Sequence, residues 1–245
     1  MAKPVIAVFD VGKTNKKLFL IDENYRIVYE RSARFVETKD EDGEPCENLD
    51  SLRSSVYDSL HQVMQLKEYD IRAINFSTYG ASFVYLDETG QPLTPLYNYL
   101  KEYPETLKEE FYAKYGGEEQ ISLATASPNL GSLNSGMQLY RLKKEKPEIF
   151  AKVKWALHLP QYLSYLVTGK AVADITSIGC HTQLWDFKNN QYHNWVDKEG
   201  ITAKFGKFTP ADSSEDTNFE GQNFKVGVGL HDSSPALIPY LANFN

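Results

Sequence analysis

The stretch Val5-Ile-Ala-Val-Phe-Asp10-Val-Gly12-Lys13-Thr14-Asn15-Lys-Lys17-Leu-Phe-Leu-Ile21 decides the fold. Two strand-like runs, Val5 to Phe9 and Lys17 to Ile21, flank a polar turn that contains a glycine. A third run, Arg26 to Arg31, follows the turn residues Asp22-Glu-Asn-Tyr25. Short runs broken by turn residues predict consecutive antiparallel hairpins. An aspartate at the end of a buried strand, followed by small hydroxyl and amide residues, can hold a metal ion and aim backbone N–H groups at phosphate oxygens. The same residues also suit a plain hairpin turn, in which Gly12 and Asn15 supply permissive backbone angles and the lysines are solvated. Gly12-Lys13-Thr14 looks like the tail of a Walker A loop, but the glycine which that motif needs five positions earlier is Ala7 here. A strand rather than a helix follows Thr14, so the Walker reading fails.

Further along, Glu37 to Glu47 reads as a polar, acidic surface loop. Asn48 can cap a helix in which Leu49, Leu52, Val56, Leu60, Val63 and Met64 recur at helical spacing. Ile71 to Ser77 and Ser82 to Leu86 read as strands meeting at Tyr79-Gly80, and Asp87-Glu-Thr-Gly90 closes the second. Three strands, a helix and more strands predict an α/β domain, a mixed sheet with helices on it. Pro104 to Tyr115, Leu133 to Lys144 and Leu159 to Val167 read as helices inserted on that sheet. Asp174 to Phe187 is mixed and Asn189 to Gly221 mostly loop-forming. Phe224 to Val228 is again strand, followed by Gly229-Leu-His-Asp232 and a helix from Pro235.

The composition narrows the partners. The 245 residues are 42% hydrophobic, enough for a substantial core in one large domain or two small ones, and carry a net charge of −7. That charge gives no sequence-independent attraction to nucleic acid or anionic membranes. Lys143, Lys144 and Lys146, ahead of Pro147, read as the solvated end of a helix, where cations suit the dipole. Cys46 and Cys180 have neither the density of a disulfide scaffold nor the spacing of a zinc site. The amino-terminal apolar run is too short for a signal-peptide core, and no segment approaches the roughly 20 apolar residues of a membrane span. Reduced thiols in a cytoplasmic protein are the expectation.

Two further motifs carry chemistry. Gly227-Val-Gly-Leu-His231-Asp232-Ser-Ser-Pro235 sets a His-Asp pair between a glycine-flanked strand and a helix start. The glycines let a ligand approach the backbone, and the helix start favours an ionised carboxylate at Asp232, one able to accept a hydroxyl proton. A plain helix cap fits the same residues. Asn75-Phe-Ser-Thr-Tyr79-Gly80-Ala-Ser82 offers hydroxyls and an aromatic face, which suit a sugar; an ordinary turn would look much the same.

Taken in order, these elements resemble the N-terminal domain of the FGGY family of carbohydrate kinases. Asp10, Gly12, Thr14 and Lys17 match that family's phosphate turn, and Ser77-Thr78-Tyr79-Gly80 with Leu86-Asp87-x-x-Gly90 match its sugar-site strands. Pro147 to Trp155, Leu159-Pro-Gln-Tyr162, Leu166-Val-Thr-Gly169, and Asp174 with Ser177 are similar to its central signature. Gly229-Leu-His-Asp232 matches the segment that holds its catalytic aspartate, and the preceding His resembles the rhamnulose and fuculose kinases most. Lys13 departs from the family's small or hydroxyl residue, and Gln161 replaces a frequent acidic residue at what reads as a structural position.

The resemblance implies a ribonuclease H-like fold of the actin and hexokinase type, with a mixed five-stranded sheet flanked by helices and a helical insertion. It implies ATP-dependent phosphorylation of a sugar hydroxyl on a ketose, deoxyketose or polyol. Asp232 is then the catalytic base, and Asp10, Gly12, Lys13, Thr14, Asn15 and Lys17 face the ATP phosphates. Asp10 holds Mg2+ through water, and Tyr79, Gly80, His231 and Asp232 meet the sugar. In the family a second, ATP-binding domain of similar size follows the catalytic aspartate, whereas this sequence ends at Asn245. Residues 1–245 are therefore expected to be the sugar-binding half, inactive alone. A non-catalytic sugar-binding or sensing protein of the same fold is the alternative, and a chaperone-like or actin-like ATPase is disfavoured by the Trp155 to Gly169 signature.

Overall fold

The computed structural model describes residues 2–33 and 37–242. Seven strands form the main sheet, in the order Ser214–Phe219, Gln222–Gly227, Tyr69–Thr78, Lys3–Val11, Lys16–Asp22, Ile27–Ala33, with Leu230–His231 also pairing with Tyr69–Thr78. The first three strands in sequence are antiparallel neighbours, as the hairpin signals predict. Tyr69–Thr78 runs parallel to Lys3–Val11, to Gln222–Gly227 and to Leu230–His231, so the sheet is mixed. This is the α/β fold expected, with seven strands where five were expected.

One face of the sheet carries the core. Val5, Ala7, Phe9 and Val11 alternate inward and are all buried, the period-2 pattern of a half-buried strand. Against them pack Leu52, Val56, Leu60 and Val63 of the Leu49–Met64 helix and Tyr162, Leu163 and Val167 of the Leu159–Thr168 helix. The Asn48 side chain caps the first of these by accepting from Ser51 N at 2.9 Å, and Gly169, at φ +66°, ends the second in a left-handed cap.

The helical insertion has a core of its own. Phe83–Leu86, expected in the main sheet, instead leaves it and pairs with Trp155–His158. Behind this hairpin Phe111 meets Trp195 edge-on at 5.1 Å and Tyr140 at 5.0 Å. Each such aromatic pair is worth about 1 kcal/mol beyond the area it buries. Helices Glu105–Lys114 and Ser135–Glu145 supply much of this cluster, close to the predicted bounds.

Three readings are corrected. The Glu37 to Glu47 loop is only partly a surface loop: the Asp40 side chain is fully buried and pairs with Lys101 Nζ at 2.6 Å, while Thr38–Lys39 and Pro45–Cys46 form a short hairpin. The lysines ahead of Pro147 are not merely solvated, because Lys143 reaches Glu199 at 2.6 Å, Lys144 reaches Glu110 at 2.5 Å, and Lys146 pairs with Glu41. The Asn189 to Gly221 stretch contains the short helix Asn194–Lys198 and the edge strand Ser214–Phe219.

Glu199 yields a pH prediction. Burial pushes its carboxyl up, but hydrogen bonds from Lys114, Lys143 and Tyr115 prevail and take it from 4.5 down to about 2. A depressed carboxylate stabilises the fold fully above its unfolded value and progressively less as pH falls through the folded one. Urea titrations of the wild type should thus lose stability between pH 4.5 and 2, and Glu199→Gln should flatten that part of the profile. An unchanged slope would remove Glu199 from the acid response.

Candidate active site

Three parallel strands end at one edge of the sheet. Asp10 is paired with Ser77, Val11 with Thr78, and His231 with Thr78 on the other side. The carboxyl ends of Lys3–Val11, Tyr69–Thr78 and Leu230–His231 therefore bring together Asp10, Tyr79-Gly80 and His231-Asp232, which lie far apart in sequence. In open α/β sheets this is the edge at which ligands bind.

At the first strand end, the turn after Val11 closes through Gly12 N donating to Asn15 O at 3.0 Å. A side chain on Gly12 would crowd that same carbonyl at 3.3 Å, so glycine sets the tightness of the turn and its N–H is spent. The N–H groups of Lys13, Thr14 and Asn15 make no hydrogen bond within the described chain and remain for an acceptor from outside. Lys13 points elsewhere: its Nζ donates to Asn98 Oδ1 at 3.0 Å and lies 5.1 Å from the Tyr99 ring centre. Lys17, opposite Asp10 across the hairpin, pairs with Glu30 at 2.8 Å.

The second strand end is the closest-packed. A Cβ on Gly80 would lie 2.1 Å from His231 Cδ2, so only glycine lets the buried imidazole sit over this corner. The Tyr79 hydroxyl donates to Glu47 Oε2 at 3.3 Å, and Glu47 pairs with the buried Lys16 at 3.0 Å. Tyr79 thus has its polar end committed, while its ring lines a hollow with Lys13, Ser82 and Tyr99.

The third strand end is held from below. Gly229, at φ +81°, interrupts the strand; its N–H reaches Asn75 Oδ1 at 3.1 Å and its carbonyl accepts from Gln161 Nε2 at 2.7 Å. Gln161 also donates to Asp174 Oδ1 at 3.0 Å. Asp174 caps the Ile175–Ile178 turn and accepts from Thr176 Oγ1, which in turn accepts from His231 N at 3.1 Å. Gln161 is fully buried, in keeping with the structural role read from its position.

The charges of the site are unequal. His231 Nδ1 lies 3.2 Å from Asp232 Oδ1. That hydrogen bond, first among the causes, holds the Asp232 carboxyl below the usual aspartate value, against partial burial. Burial pushes the His231 ring down, but its bonds to Asp232 and Cys180 prevail and raise it to about 9. Asp10 moves the other way: desolvation and the negative charge of Asp232 push its carboxyl up, against the pull of Lys17. Two carboxylates pushed apart in this way are suited to different tasks. The Asp232 carboxyl is held in its ionised form, while the ionised form of Asp10 is disfavoured.

Sequence reasoning missed Asn75, Thr176, Cys180 and His181. Cys180 and His181 lie beside His231, with all three ligand-type atoms within 4.8 Å of one another. Burial pushes the Cys180 thiol up, but hydrogen bonds to the two imidazoles lower it to about 6. The one signal available was the adjacency of Cys180 and His181.

The family model for the N-terminal domain of the FGGY family of carbohydrate kinases matches residues 5–216. The chain belongs to the FGGY family of carbohydrate kinases. It is 28% identical over 184 residues to a rhamnulokinase of Halalkalibacterium halodurans, covering 72% of this chain and 39% of that one. It is 27% identical over 242 residues to a rhamnulokinase of Mannheimia succiniciproducens, covering 95% and 48%. Among solved structures, a carbohydrate kinase from Novosphingobium aromaticivorans superposes with a TM-score of 0.86 at 24% identity over 97% of this chain and 51% of that one. A ligand-bound xylulose kinase from Lactobacillus acidophilus gives 0.83 at 21%, over 96% and 49%. The chain thus spans about half the length, or less, of these relatives. Among the described residues, no helix is long and apolar enough to cross a membrane.

Proposed function

We propose that this chain is the sugar-binding lobe of an ATP-dependent kinase that phosphorylates a hydroxyl of a ketose or deoxyketose, with rhamnulose as the first candidate. The observation that carries the reading is the meeting of Asp10, Gly80 and the His231-Asp232 pair at one edge of three parallel strands. The rhamnulokinases among the relatives point to the sugar. A second lobe supplies the adenosine pocket and closes over this edge, and the free thiols of Cys46 and Cys180 suit a cytoplasmic setting.

Phosphoryl transfer passes through a loose transition state, so positioning and charge neutralisation matter more than a strong base. Asp232, held by His231 and ionised at neutral pH, orients the attacking hydroxyl and takes its proton as the new bond forms. His231 and Gly80 shape the sugar's seat, and Tyr79 offers a ring face. The unspent N–H groups of Lys13 to Asn15 face the transferred phosphate.

Mg2+ fits the donor set at Asp10: a hard carboxylate oxygen at a strand end, with no hydrogen bond or ion pair from any described residue. Bound there through water, the ion would neutralise phosphate charge. Lys13 is turned toward Asn98 and acts at the mouth of the sugar hollow rather than on phosphate.

The test is ADP release by the protein carrying this lobe together with its second one, offered a panel of ketoses, deoxyketoses and polyols. Turnover on rhamnulose or a close ketose is expected. Sugar binding without ADP release on any member would favour a sensing protein instead.

A further inference from the structure

We propose that Cys180, His181 and His231 form a binding site for one Zn2+ ion, placed where it competes with the sugar for His231. The three ligand-type atoms already lie within 4.8 Å of one another. With bonds of about 2.3 Å to sulfur and about 2.0 Å to nitrogen, tetrahedral zinc needs them about 3.5 Å apart. The closing motion is therefore of the order of 1 Å, within reach of side-chain rotation.

The backbone of each of the three residues is tied by a hydrogen bond. Asn134 Nδ2 donates to the His181 carbonyl at 2.7 Å, and Cys180 N donates to Ser177 O at 3.2 Å. His231 N is tied to Thr176 Oγ1 at 3.1 Å. The two imidazoles stand nearly perpendicular, at 85° with centroids 5.8 Å apart, so they do not stack.

Two further observations point to a ligand. His231 Nδ1 accepts from Ser233 N at 3.2 Å and lies 3.2 Å from Asp232 Oδ1, so Nδ1 is engaged and Nε2 is left as the metal-binding atom. His181 Nδ1 is buried and has no hydrogen-bond partner among the described residues, a cost that a bound cation would remove. The donor chemistry selects the ion. One thiolate and two imidazoles suit Zn2+ and not Mg2+, which prefers oxygen. Three protein ligands leave the fourth position open, and a thiolate with Asp232 alongside balances the ion's charge. The third imidazole nearby, His158, is not a ligand, being held by Ser135 Oγ at 2.9 Å and stacked on Phe83 at 3.9 Å.

Metal binding is independent of catalysis and is measured on this chain directly. The competition with sugar, by contrast, rests on the proposed function. Titration calorimetry with Zn2+ in excess Mg2+ should give one site, weakened about 100-fold or more in Cys180→Ser and in His181→Asn. Asparagine is chosen for position 181 because its φ is +43° and that residue tolerates the left-handed region. Co2+ bound to the wild type should show a thiolate-to-cobalt charge-transfer band and tetrahedral visible bands. This spectrum decides the matter even if a variant folds poorly. Absence of one-site Zn2+ binding to the wild type, a cobalt spectrum without the thiolate band, or unchanged affinity in both variants would overturn the site. If the metal binds as described but does not raise the sugar's KM in the two-lobed enzyme, the competition fails and the metal site stands.

Discussion

Asp232→Asn in the two-lobed enzyme should lower kcat by about 10²- to 10⁴-fold, the range a positioned general base supplies, while sugar affinity changes little. The substitution is nearly isosteric. The Asp232 N–H bond to Thr78 O at 2.9 Å and the contact from Ser233 Oγ at 3.3 Å survive it, so the corner keeps its shape. What disappears is the negative charge. The proposed acceptor for the hydroxyl proton is lost, and so is one of the two partners, with Cys180, that raise the His231 ring to about 9. His231 should then titrate at a lower pH, visible as a shift of its imidazole resonances in NMR. Wild-type turnover in this variant would remove Asp232 from the mechanism.

The largest stability effect is expected at Gly229, in the strand break that carries His231 and Asp232. A Cβ there would lie 2.2 Å from the carbonyl oxygen of Pro160, a backbone atom in the first turn of the Leu159–Thr168 helix. Neither side can yield without moving the helix or breaking the Gln161 and Asn75 hydrogen bonds to Gly229. Gly229→Ala should cost about 1–2 kcal/mol for the left-handed backbone and about 1–3 kcal/mol more for overpacking. Gly221 separates the two contributions: it has a similar φ of +84° and nothing within 4 Å of an added Cβ. Gly221→Ala should thus show the backbone cost alone in urea unfolding. Equal losses at the two positions would mean that the contact with Pro160 contributes nothing.

What the sequence revealed follows from the range of the signals. The first hairpins, the capped Leu49–Met64 helix and the glycine-ended Leu159–Thr168 helix depend on local periodicity and turn chemistry, and all were legible. The Ser214–Phe219 strand was not. It is a polar edge strand with one large apolar residue, joined to its partner by Glu220-Gly221 at φ +49° and +84°. A two-residue turn with both angles positive is ordinarily announced by Asn-Gly or Asp-Gly. Phe83–Leu86 was legible as a strand, but its partner Trp155–His158 is a long-range choice that no local pattern encodes.

The candidate site divides in the same way. Asp10, Gly80 and the His231-Asp232 pair stand at turns with recognisable composition. The residues that support them, Asn75, Gln161, Asp174 and Thr176, act through tertiary hydrogen bonds between distant segments. Lys13 shows the limit of motif reading, since its sequence neighbours are turn residues while its side chain is held by Asn98.

The claim that the sugar is phosphorylated at this sheet edge is tested most directly by a crystal structure of the two-lobed enzyme with its sugar. The accepting hydroxyl should lie within about 3 Å of an Asp232 carboxylate oxygen, with the sugar against Gly80 and His231. A sugar seated instead in the cleft lined by Tyr97, Lys101, Arg141 and Lys146, away from Asp232, would contradict the account.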